Sequence, residues 1–339
     1  MKKTIAIVAY ETNPAVCSSM MMHVDMMADA GYNIVMFVQR KIDLYVFSSY
    51  SYPQVVFDKP REIKKLFIDY HINMIWCTNV MYVIRLVWLT RLPIILWNQG
   101  EGAAESFMKH HSYIRKCILE LINAYALHKV TGIVYVSESM KAYYENKYRL
   151  HTKSIVVPCL SEFADSNNSV EKIPNSFVYI GGLSVWQCFD EILKIYAKIR
   201  TAESIFHIIT LDTITARKKV LQVIGDDMNI EIYGIKNRAQ IPDILSRFQY
   251  GFLIRKQDVV NMVAAPIKFL EYLSCGVNVI MTDAVPSYAK IVREKKVGTV
   301  INLNDDNICL NYYNPSAKDV YKELFDRKSF VNEYNNLLK

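Results

Sequence analysis

The feature that most constrains the fold is an alternation, repeated twice along the chain, of short apolar runs with longer segments of helical periodicity. The runs are apolar at nearly every position, which is typical of parallel strands covered on both faces by helices. A polar stretch, SEFADSNNSVEKIPNS, separates the two series. The pattern therefore predicts an α/β fold with two doubly wound parallel sheets.

Both series predict elements in strict alternation, bounded by stops such as Gly31. Ser137 and Glu138 are expected to cap one of the helices. The predicted strands are 4–10, 33–39, 73–79, 93–99, 131–137, 154–158, 177–183, 206–211, 229–235, 250–255 and 277–283. The predicted helices are 18–31, 61–71, 108–128, 138–147, 187–200, 214–224, 240–248 and 266–275.

The length of 339 residues suits two domains better than one compact core. We expect a Rossmann-like domain over 1–160, a linker over 161–176 and a second Rossmann-like domain over 177–325. A final helix over 326–339 is expected to pack back on the first domain. Ligands of such sheets bind beyond the carboxyl ends of the strands. The loops to inspect are therefore 10–16, 98–106, 137–139, 181–187, 234–238, 255–265 and 283–287.

Composition narrows the cellular setting. The seven cysteines are scattered without a C-x-x-C pair, which favours reduced thiols. The most apolar region, 72–97, is interrupted by Asn79, Arg85, Arg91 and Pro93 and so does not predict a membrane span. We expect a cytoplasmic protein.

The net charge is +7, and residues 1–150 carry 17 basic but only 12 acidic side chains. This excess predicts attraction to an anionic membrane, at the inner face of the plasma membrane, or to a phosphorylated substrate; a mildly basic solvated surface is the alternative. No long basic block or RNA-binding motif predicts a nucleic-acid partner.

Several enzyme classes are excluded by missing motifs. No G-x-G-x-x-G follows the first strand of either series, and no P-loop, H-E-x-x-H or G-x-S-x-G is present. The Asp-x-Asp pair of metal-dependent sugar transferases is also missing. Neither a metal nor a cofactor is expected.

The motif order over 177–302 resembles a known family. FVYIGGLSVWQ, IYGI, IPDILSRFQYGFLIR and APIKFLEYLSCGVNVIMTD are similar to the nucleotide-sugar-binding domain of GT-B glycosyltransferases. The nearest resemblance is to retaining, GT4-like enzymes of bacterial capsule and O-antigen synthesis. Their P-x-K-x-x-E-Y helix and following glycine are matched by Pro266, Lys268, Glu271, Tyr272 and Gly276. VYVSESM, IVVPCL and QGEGAAES extend a looser likeness to the first half.

The resemblance implies catalytic roles for three charged residues. Arg255 and Lys268 would hold the donor diphosphate, and Glu271 would accept hydrogen bonds from the ribose hydroxyls. Pro266 is expected to be the first helical residue, since it lacks an N–H. Lys268 then opposes the helix dipole, which suits a diphosphate ligand better than a stabilising residue. The alternatives are a surface ion pair between Lys268 and Glu271 and a solvated Arg255.

Further residues are candidates for binding the two substrates. Those expected to bind the donor are Gly181, Gly182, Trp186, Gln187, Tyr233, Gly234, Asn261, Pro266 and Ile267. Those expected to bind the acceptor or a sugar, in the first domain, are Gln99, Gly100, Glu101 and Glu105. A tight turn at the glycines, core packing of the aromatic residues and a helix-capping acidic cluster remain open as alternatives.

Two departures from the family stand out. Val263 occupies a position where relatives often carry an acid, and GLSVWQ lacks their basic residues. The expected function is metal-independent, retaining transfer from a nucleotide-diphosphate sugar, UDP-linked, to a glycan or lipid-linked glycan in cell-surface polysaccharide synthesis. The two domains would face a central cleft. An inactive GT-B-like scaffold and a GT-B nucleotide-sugar epimerase are the alternatives.

Overall fold

The computed structural model describes residues 2–9, 14–39, 51–163 and 170–339. Parts of the 10–16 loop and of the 161–176 stretch lie outside these residues. The chain forms two compact units. The first comprises Met1–Leu160, Val263–Ala265 and Arg327–Lys339, and the second comprises Ser161–Met262 and Pro266–Asp326.

The elements follow each other as alternating strands and helices. The strands are β1 Thr4–Ala9, β2 Asn33–Gln39, β3 Gln54–Phe57, β4 Met74–Cys77, β5 Ile94–Asn98, β6 Gly132–Tyr135, β7 Lys153–Val156, β8 Ser176–Ile180, β9 Ile205–Ile209, β10 Ile230–Tyr233, β11 Tyr250–Leu253, β12 Asn278–Thr282 and β13 Gly298–Ile301. The helices are α1 Pro14–Asp29, α2 Ile63–Asp69, α3 Val80–Leu89, α4 Gly102–His110, α5 Tyr113–Leu127, α6 Glu138–Tyr148, α7 Phe189–Ile199, α8 Thr213–Val223, α9 Ile241–Leu245, α10 Val259–Val263, α11 Ile267–Ser274, α12 Pro286–Lys295, α13 Ala317–Leu324 and α14 Arg327–Leu338.

Each unit contains one parallel sheet. The first sheet has the order β3-β2-β1-β4-β5-β6-β7, and the second has the order β10-β9-β8-β11-β12-β13. The strand order reverses on either side of β1 and of β8, as in doubly wound folds. Central strands such as β4, β8 and β12 are buried at every position, which explains their continuous apolar runs. The expected parallel α/β architecture is confirmed.

The single helix predicted over 108–128 is wrong. His111 adopts a left-handed conformation with φ of 50°, which ends α4. Ser112 then starts α5, its hydroxyl accepting a hydrogen bond from the Arg115 amide at 3.3 Å. The expected capping of α6 is confirmed, because Ser137 Oγ accepts from the Met140 amide at 3.0 Å and Glu138 lies in the first turn.

The core of the first unit includes the C-terminal helix. Trp76 and Trp97 stack with their ring centres 5.4 Å apart, and His23 of α1 packs against both. His23 Nδ1 lies 2.7 Å from the hydroxyl of Tyr334 on α14. Burial lowers the pKa of His23 to about 3. The imidazole is therefore neutral at pH 7, and it serves packing.

Candidate functional site

The candidate site lies in the second unit, where the loops after two neighbouring strands meet. β8 pairs directly with β11, so their carboxyl ends lie at the same edge of the sheet. After β8 the chain passes through Gly181 and Gly182 to a short 3₁₀ turn, Val185–Gln187. After β11 it reaches Arg255, whose Nη1 donates to the Trp186 carbonyl at 2.8 Å and to Gln187 Oε1 at 2.9 Å.

Lys268 reaches the same amide oxygen from α11. Its Nζ donates to Gln187 Oε1 at 2.5 Å and lies 4.3 Å from the ring centre of Tyr179. Pro266 is the N-cap of α11 and Ile267 its first residue, so the expectation that Pro266 is the first helical residue is wrong by one position. Lys268 still lies in the first turn, as predicted.

Neither cation forms an ion pair with a carboxylate among the described residues. Arg255 and Lys268 are 5% and 7% exposed, and each donates only to neutral oxygens within the described residues. Burial lowers the pKa of both side chains, and the Arg255 charge lowers that of Lys268 further. Two buried cations without a carboxylate partner favour the binding of an anion.

Gly181 is required by both its conformation and its surroundings. Its φ is +139°, a region that residues with a Cβ rarely adopt. A Cβ at this position would lie 2.7 Å from Lys268 Nζ. Gly182 faces open space, and its carbonyl accepts the Tyr179 hydroxyl at 2.5 Å. Gly181 therefore leaves room for the Lys268 side chain, whereas a Cβ at Gly182 would contact no other atom.

Glu271 lies one turn after Lys268 but takes a different partner. Its buried Oε1 accepts from Arg238 Nη2 at 2.6 Å, and Arg238 Nε also donates to Glu162 at 2.8 Å. Burial raises the pKa of Glu271, and the Arg238 charge opposes that rise. The alternative of a surface ion pair between Lys268 and Glu271 is wrong, because both side chains are buried and bound elsewhere.

Arg238 was not among the residues expected from sequence. It follows β10 and starts the short 3₁₀ turn Arg238–Gln240. The signal that could have found it is its position in the 234–238 loop, at the carboxyl end of a strand. Thr282, at the end of β12, is a second such residue, since its hydroxyl bridges the backbone N–H and carbonyl of Arg255.

Three other candidate donor-binding residues take structural partners. Asn261 is buried and bonds through its backbone and side chain to Asp258 at the start of α10. The Tyr233 hydroxyl lies 3.1 Å from His207 Nδ1. Gly234 packs closely on the Thr210 carbonyl. Within the described part of the chain none of these three forms a hydrogen bond with Arg255, Lys268 or Glu271, so their donor-binding role stays a prediction.

The candidate acceptor residues belong to the first unit, around the start of α4. Glu101 is fully buried, and its Oε2 accepts from the Ala104 amide at 2.5 Å, so the helix-capping alternative is observed for this residue. The Gly100 carbonyl accepts the Tyr144 hydroxyl. Burial raises the pKa of Glu105. Whether Gln99 and its neighbours bind an acceptor stays a prediction.

Val263 also belongs to the first unit. Its side chain is fully buried, and its carbonyl accepts from Ser137 Oγ at 2.7 Å. This position therefore contributes apolar packing and a backbone acceptor.

The chain is similar to known proteins in structure but not in sequence. No protein-family profile and no curated protein sequence matches it. Among solved structures, sucrose-phosphate synthase from Thermosynechococcus elongatus has a TM-score of 0.72 at 12% identity, covering 99% of this chain and 98% of that one. HepE from Anabaena, in complex with UDP and glucose, has a TM-score of 0.66 at 11% identity, with 99% of each chain covered. The lipopolysaccharide outer core galactosyltransferase WaaB has a TM-score of 0.64 at 13% identity, again with 99% of each covered.

The chain has the GT-B fold. The expected pair of doubly wound, Rossmann-like sheets is thus confirmed over the whole length of the comparison. At 11–13% identity the likeness establishes the fold, and what this GT-B chain does must be argued from its own residues.

Two further observations concern the described part of the GT-B chain. It holds no group of three or more His, Cys, Asp and Glu side chains arranged to bind a metal ion. None of its described helices is both long and apolar enough to cross a membrane.

Proposed function

We propose that this chain is a glycosyltransferase that moves a sugar from a nucleotide-diphosphate sugar, UDP-linked, to a glycan or lipid-linked glycan. The observation that carries the proposal is the convergence of Arg255 and Lys268 on the neutral Gln187 Oε1. A diphosphate at this place would supply the negative charge that the two cations lack. The GT-B fold supports it, since the similar HepE structure contains UDP and glucose.

The proposed chemistry follows from where charge develops. The bond between the anomeric carbon and the diphosphate oxygen breaks, and the acceptor hydroxyl oxygen forms the new glycosidic bond and loses its proton. Negative charge then accumulates on the departing diphosphate. Arg255, Lys268 and the first backbone N–H groups of α11 would stabilise it. Because fixed cations supply this charge, we propose transfer that requires no metal.

Glu271 would orient the donor. Arg238 occupies its Oε1, which leaves the second carboxylate oxygen to accept from the ribose hydroxyls. By resemblance to GT4-like enzymes, we propose retention of the anomeric configuration and a role in capsule or O-antigen synthesis. The acceptor would be presented by the first unit, around Gln99–Glu105, and the enzyme would work at the inner face of the plasma membrane.

The proposal is tested by incubating the protein with a panel of nucleotide sugars and lipid-linked or soluble glycan acceptors, with and without EDTA. We expect acceptor-dependent release of UDP that persists in EDTA. Lys268→Ala, Arg255→Ala and Glu271→Ala should each lower the rate at least about a hundredfold, as loss of one stabilising donor does elsewhere. The folds of these variants are checked by circular dichroism.

Lys256→Ala is the matched control. Lys256 follows Arg255 directly, but its side chain is exposed and pairs with Glu191 at 2.5 Å. This variant should keep wild-type activity. Nucleotide binding without turnover in the wild type would instead favour a scaffold, and conversion of the free donor would favour an epimerase.

A further inference from the structure

The outer surface of the first unit carries an apolar stripe on α5. Ile114, Ile118, Leu121 and Tyr125 are separated by four, three and four residues, so they lie on one face of the helix. All four are exposed, Leu121 to 72%. The opposite face of α5 is the one that contributes buried residues to the core. The stripe is therefore an addition to what folding requires of this helix.

The neighbouring helix carries a further exposed apolar residue. α3 packs against α5 and buries Tyr82, Val83 and Leu86 on its inner face. On its outer face Trp88 is 79% exposed. We call Trp88, Ile114, Ile118, Leu121 and Tyr125 together the α3–α5 face. Exposed apolar surface of this kind on a folded unit marks a place where something binds.

Exposed cations lie on or next to α3 and α5 without an ion-pair partner. Arg85, Arg91, Arg115 and Lys129 are all exposed, and none forms an ion pair among the described residues. Residues 80–130 contain only three acids, Glu101, Glu105 and Glu120.

None of those three acids balances the exposed cations. Glu101 is fully buried, Glu105 is half-buried, and Glu120 pairs with Lys147 at 3.0 Å. The exposed, unpaired charge of residues 80–130 is therefore positive.

A pocket opens beside Trp88. Its volume is about 730 Å³, and Trp88 is among its lining residues. Lys64, His71 and Arg91 line it together with apolar side chains that include Phe67 and Leu92, and no carboxylate is among the residues that line it. A pocket that is cationic and apolar at once fits an amphiphile with an anionic headgroup.

We propose that the α3–α5 face docks the protein on an anionic lipid bilayer, with a phospholipid headgroup in the pocket beside Trp88. Tryptophan and tyrosine favour the membrane interface, the aliphatic residues of the stripe would enter the acyl boundary, and the exposed cations would meet anionic headgroups. A second copy of the chain is disfavoured as the occupant, because a twofold interface would place these cations opposite themselves.

The inference deepens the proposed function, since a lipid-linked acceptor would be reached from such a surface. It is tested by co-sedimentation of the full chain with vesicles of phosphatidylcholine, alone or mixed with phosphatidylglycerol. We expect binding only to the mixed vesicles, weakened by added salt. Trp88 should then show a blue-shifted emission that Trp88→Phe removes, because Trp76 and Trp97 are buried and Trp186 lies half-buried in the second unit.

Variants distinguish binding through the α3–α5 face from nonspecific adsorption of the protein to vesicles. Leu121→Glu, and Arg85→Glu combined with Arg115→Glu, should each weaken partition to the mixed vesicles by about tenfold or more. Lys64→Ser with Arg91→Ser should reduce the preference for phosphatidylglycerol. The matched control is Leu221→Glu with Arg217→Glu on α8 of the second unit, where Leu221 is exposed as well. It should bind vesicles like the wild type.

Several results would overturn the inference. Equal binding to both vesicle types would show that the cations do not recognise anionic lipid. Wild-type binding by the face variants would show that the α3–α5 face does not contact the bilayer. A control variant that loses as much binding would show that the effect is general. Sedimentation velocity tests whether the face instead binds a second copy of the chain. A wild-type dimer that Leu121→Glu dissociates, with vesicle binding unchanged, would identify the face as a contact between copies. Vesicle binding needs neither donor nor acceptor, so its failure would leave the transferase proposal standing, and the reverse also holds.

Discussion

Gln187 is the hydrogen-bond acceptor that the two cations of the candidate site share. Its amide oxygen accepts from Arg255 and from Lys268, at 2.9 and 2.5 Å. The loop GLSVWQ that contains it has no basic residue. The cations come from the end of β11 and from α11, and both donate to this neutral amide oxygen. The site therefore contains two cationic side chains, although the loop GLSVWQ contributes neither of them.

Replacing the Gln187 amide by a carboxylate should place a permanent negative charge against Arg255 and Lys268. We expect Gln187→Glu to raise the free energy of unfolding by about 1 kcal/mol or more, since hydrogen bonds to charged partners are stronger than those to neutral ones. The same change should weaken UDP binding at least about tenfold, because the new charge competes with the diphosphate. Gln187→Ala is the control, and it should be less stable yet still bind UDP. Calorimetric titration and thermal unfolding check both effects, and tighter UDP binding by Gln187→Glu would contradict the assignment.

The lowered pKa of Lys268 predicts a pH dependence of binding. Burial and the Arg255 charge lower the pKa of the Lys268 ammonium group in the free protein, and the Glu271 charge opposes that shift only in part. A bound diphosphate would favour the ammonium, so binding takes up a proton. Affinity for UDP should thus fall as the pH rises through the lowered pKa of free Lys268, below the ordinary value of 10.5.

Titrations in buffers of different ionisation enthalpy would measure that proton uptake. The uptake should disappear in Lys268→Met, which keeps the length of the side chain but cannot titrate. Equal uptake in both proteins would assign the proton to another group.

Arg238 is expected to position Glu271. Without the guanidinium, burial would raise the pKa of Glu271 further and leave a neutral carboxyl group that orients the ribose poorly. Arg238→Gln should therefore lower affinity for UDP by about tenfold while leaving affinity for inorganic pyrophosphate unchanged. Arg247→Gln is the control, since the Arg247 side chain is exposed and forms no ion pair with Glu271. Parallel loss of both ligands would point to a general structural role for Arg238.

At the scale of elements, α11 combines two tasks that its sequence shows side by side. Phe269, Leu270 and Leu273 are fully buried, while Lys268 and Glu271 are buried among polar partners. Pro266 ends the preceding segment without donating an N–H, and Gly276, with φ of +70°, ends the helix within the core. A helix this short and this buried holds its charged side chains rigidly.

The loop between β8 and α7 provides a matched pair of substitutions for that element. Gly181→Ala combines an unfavourable φ with a Cβ 2.7 Å from Lys268 Nζ, so we expect it to lower the free energy of unfolding by about 1–3 kcal/mol and to impair UDP binding. In Gly182→Ala the new Cβ meets no atom within 4 Å, so this variant should keep the wild-type free energy of unfolding. Urea unfolding and UDP titration on both variants decide the question. Similar behaviour of the two glycines would argue against close approach of Lys268.

At the scale of the whole molecule, the chain divides into two units that are not consecutive in sequence. The first unit takes back the segment Arg327–Lys339, whose helix α14 packs against α1. Tyr334, Leu337 and Leu338 are buried there, and the Tyr334 hydroxyl meets His23. The last residues of the chain thus complete the core of its first residues.

Removing Arg327–Lys339 should therefore destabilise the first unit. Each buried apolar side chain lost costs about 1.5–3 kcal/mol, and His23 loses its hydroxyl partner. We expect a lower melting temperature with UDP binding retained, since Arg255 and Lys268 belong to the second unit. Glu333→Ala, at an exposed position of the same helix, is the control and should melt like the wild type. An unchanged melting temperature of the truncated chain would refute the role assigned to α14.

Much of the fold could be predicted from local pattern. Buried parallel strands such as Ile5–Val8 and Val279–Met281 appear as continuous apolar runs because both of their faces are covered. Short elements escaped prediction: β3 alternates buried and exposed residues over only four positions, and β13 begins at a glycine. The break at His111 also escaped, because a left-handed residue other than glycine leaves little trace in sequence.

The sequence by itself determined the parallel α/β class, the two series of strands and the unusual placement of Lys268 and Glu271 in an apolar helix. Only the tertiary structure decided their partners. Gln187 lies 81 residues from Lys268, and Arg238 lies 33 from Glu271. Those pairings depend on which strands lie side by side, β8 next to β11 above all. Strand order is set by packing over the whole core, whereas periodicity reports only what each segment buries.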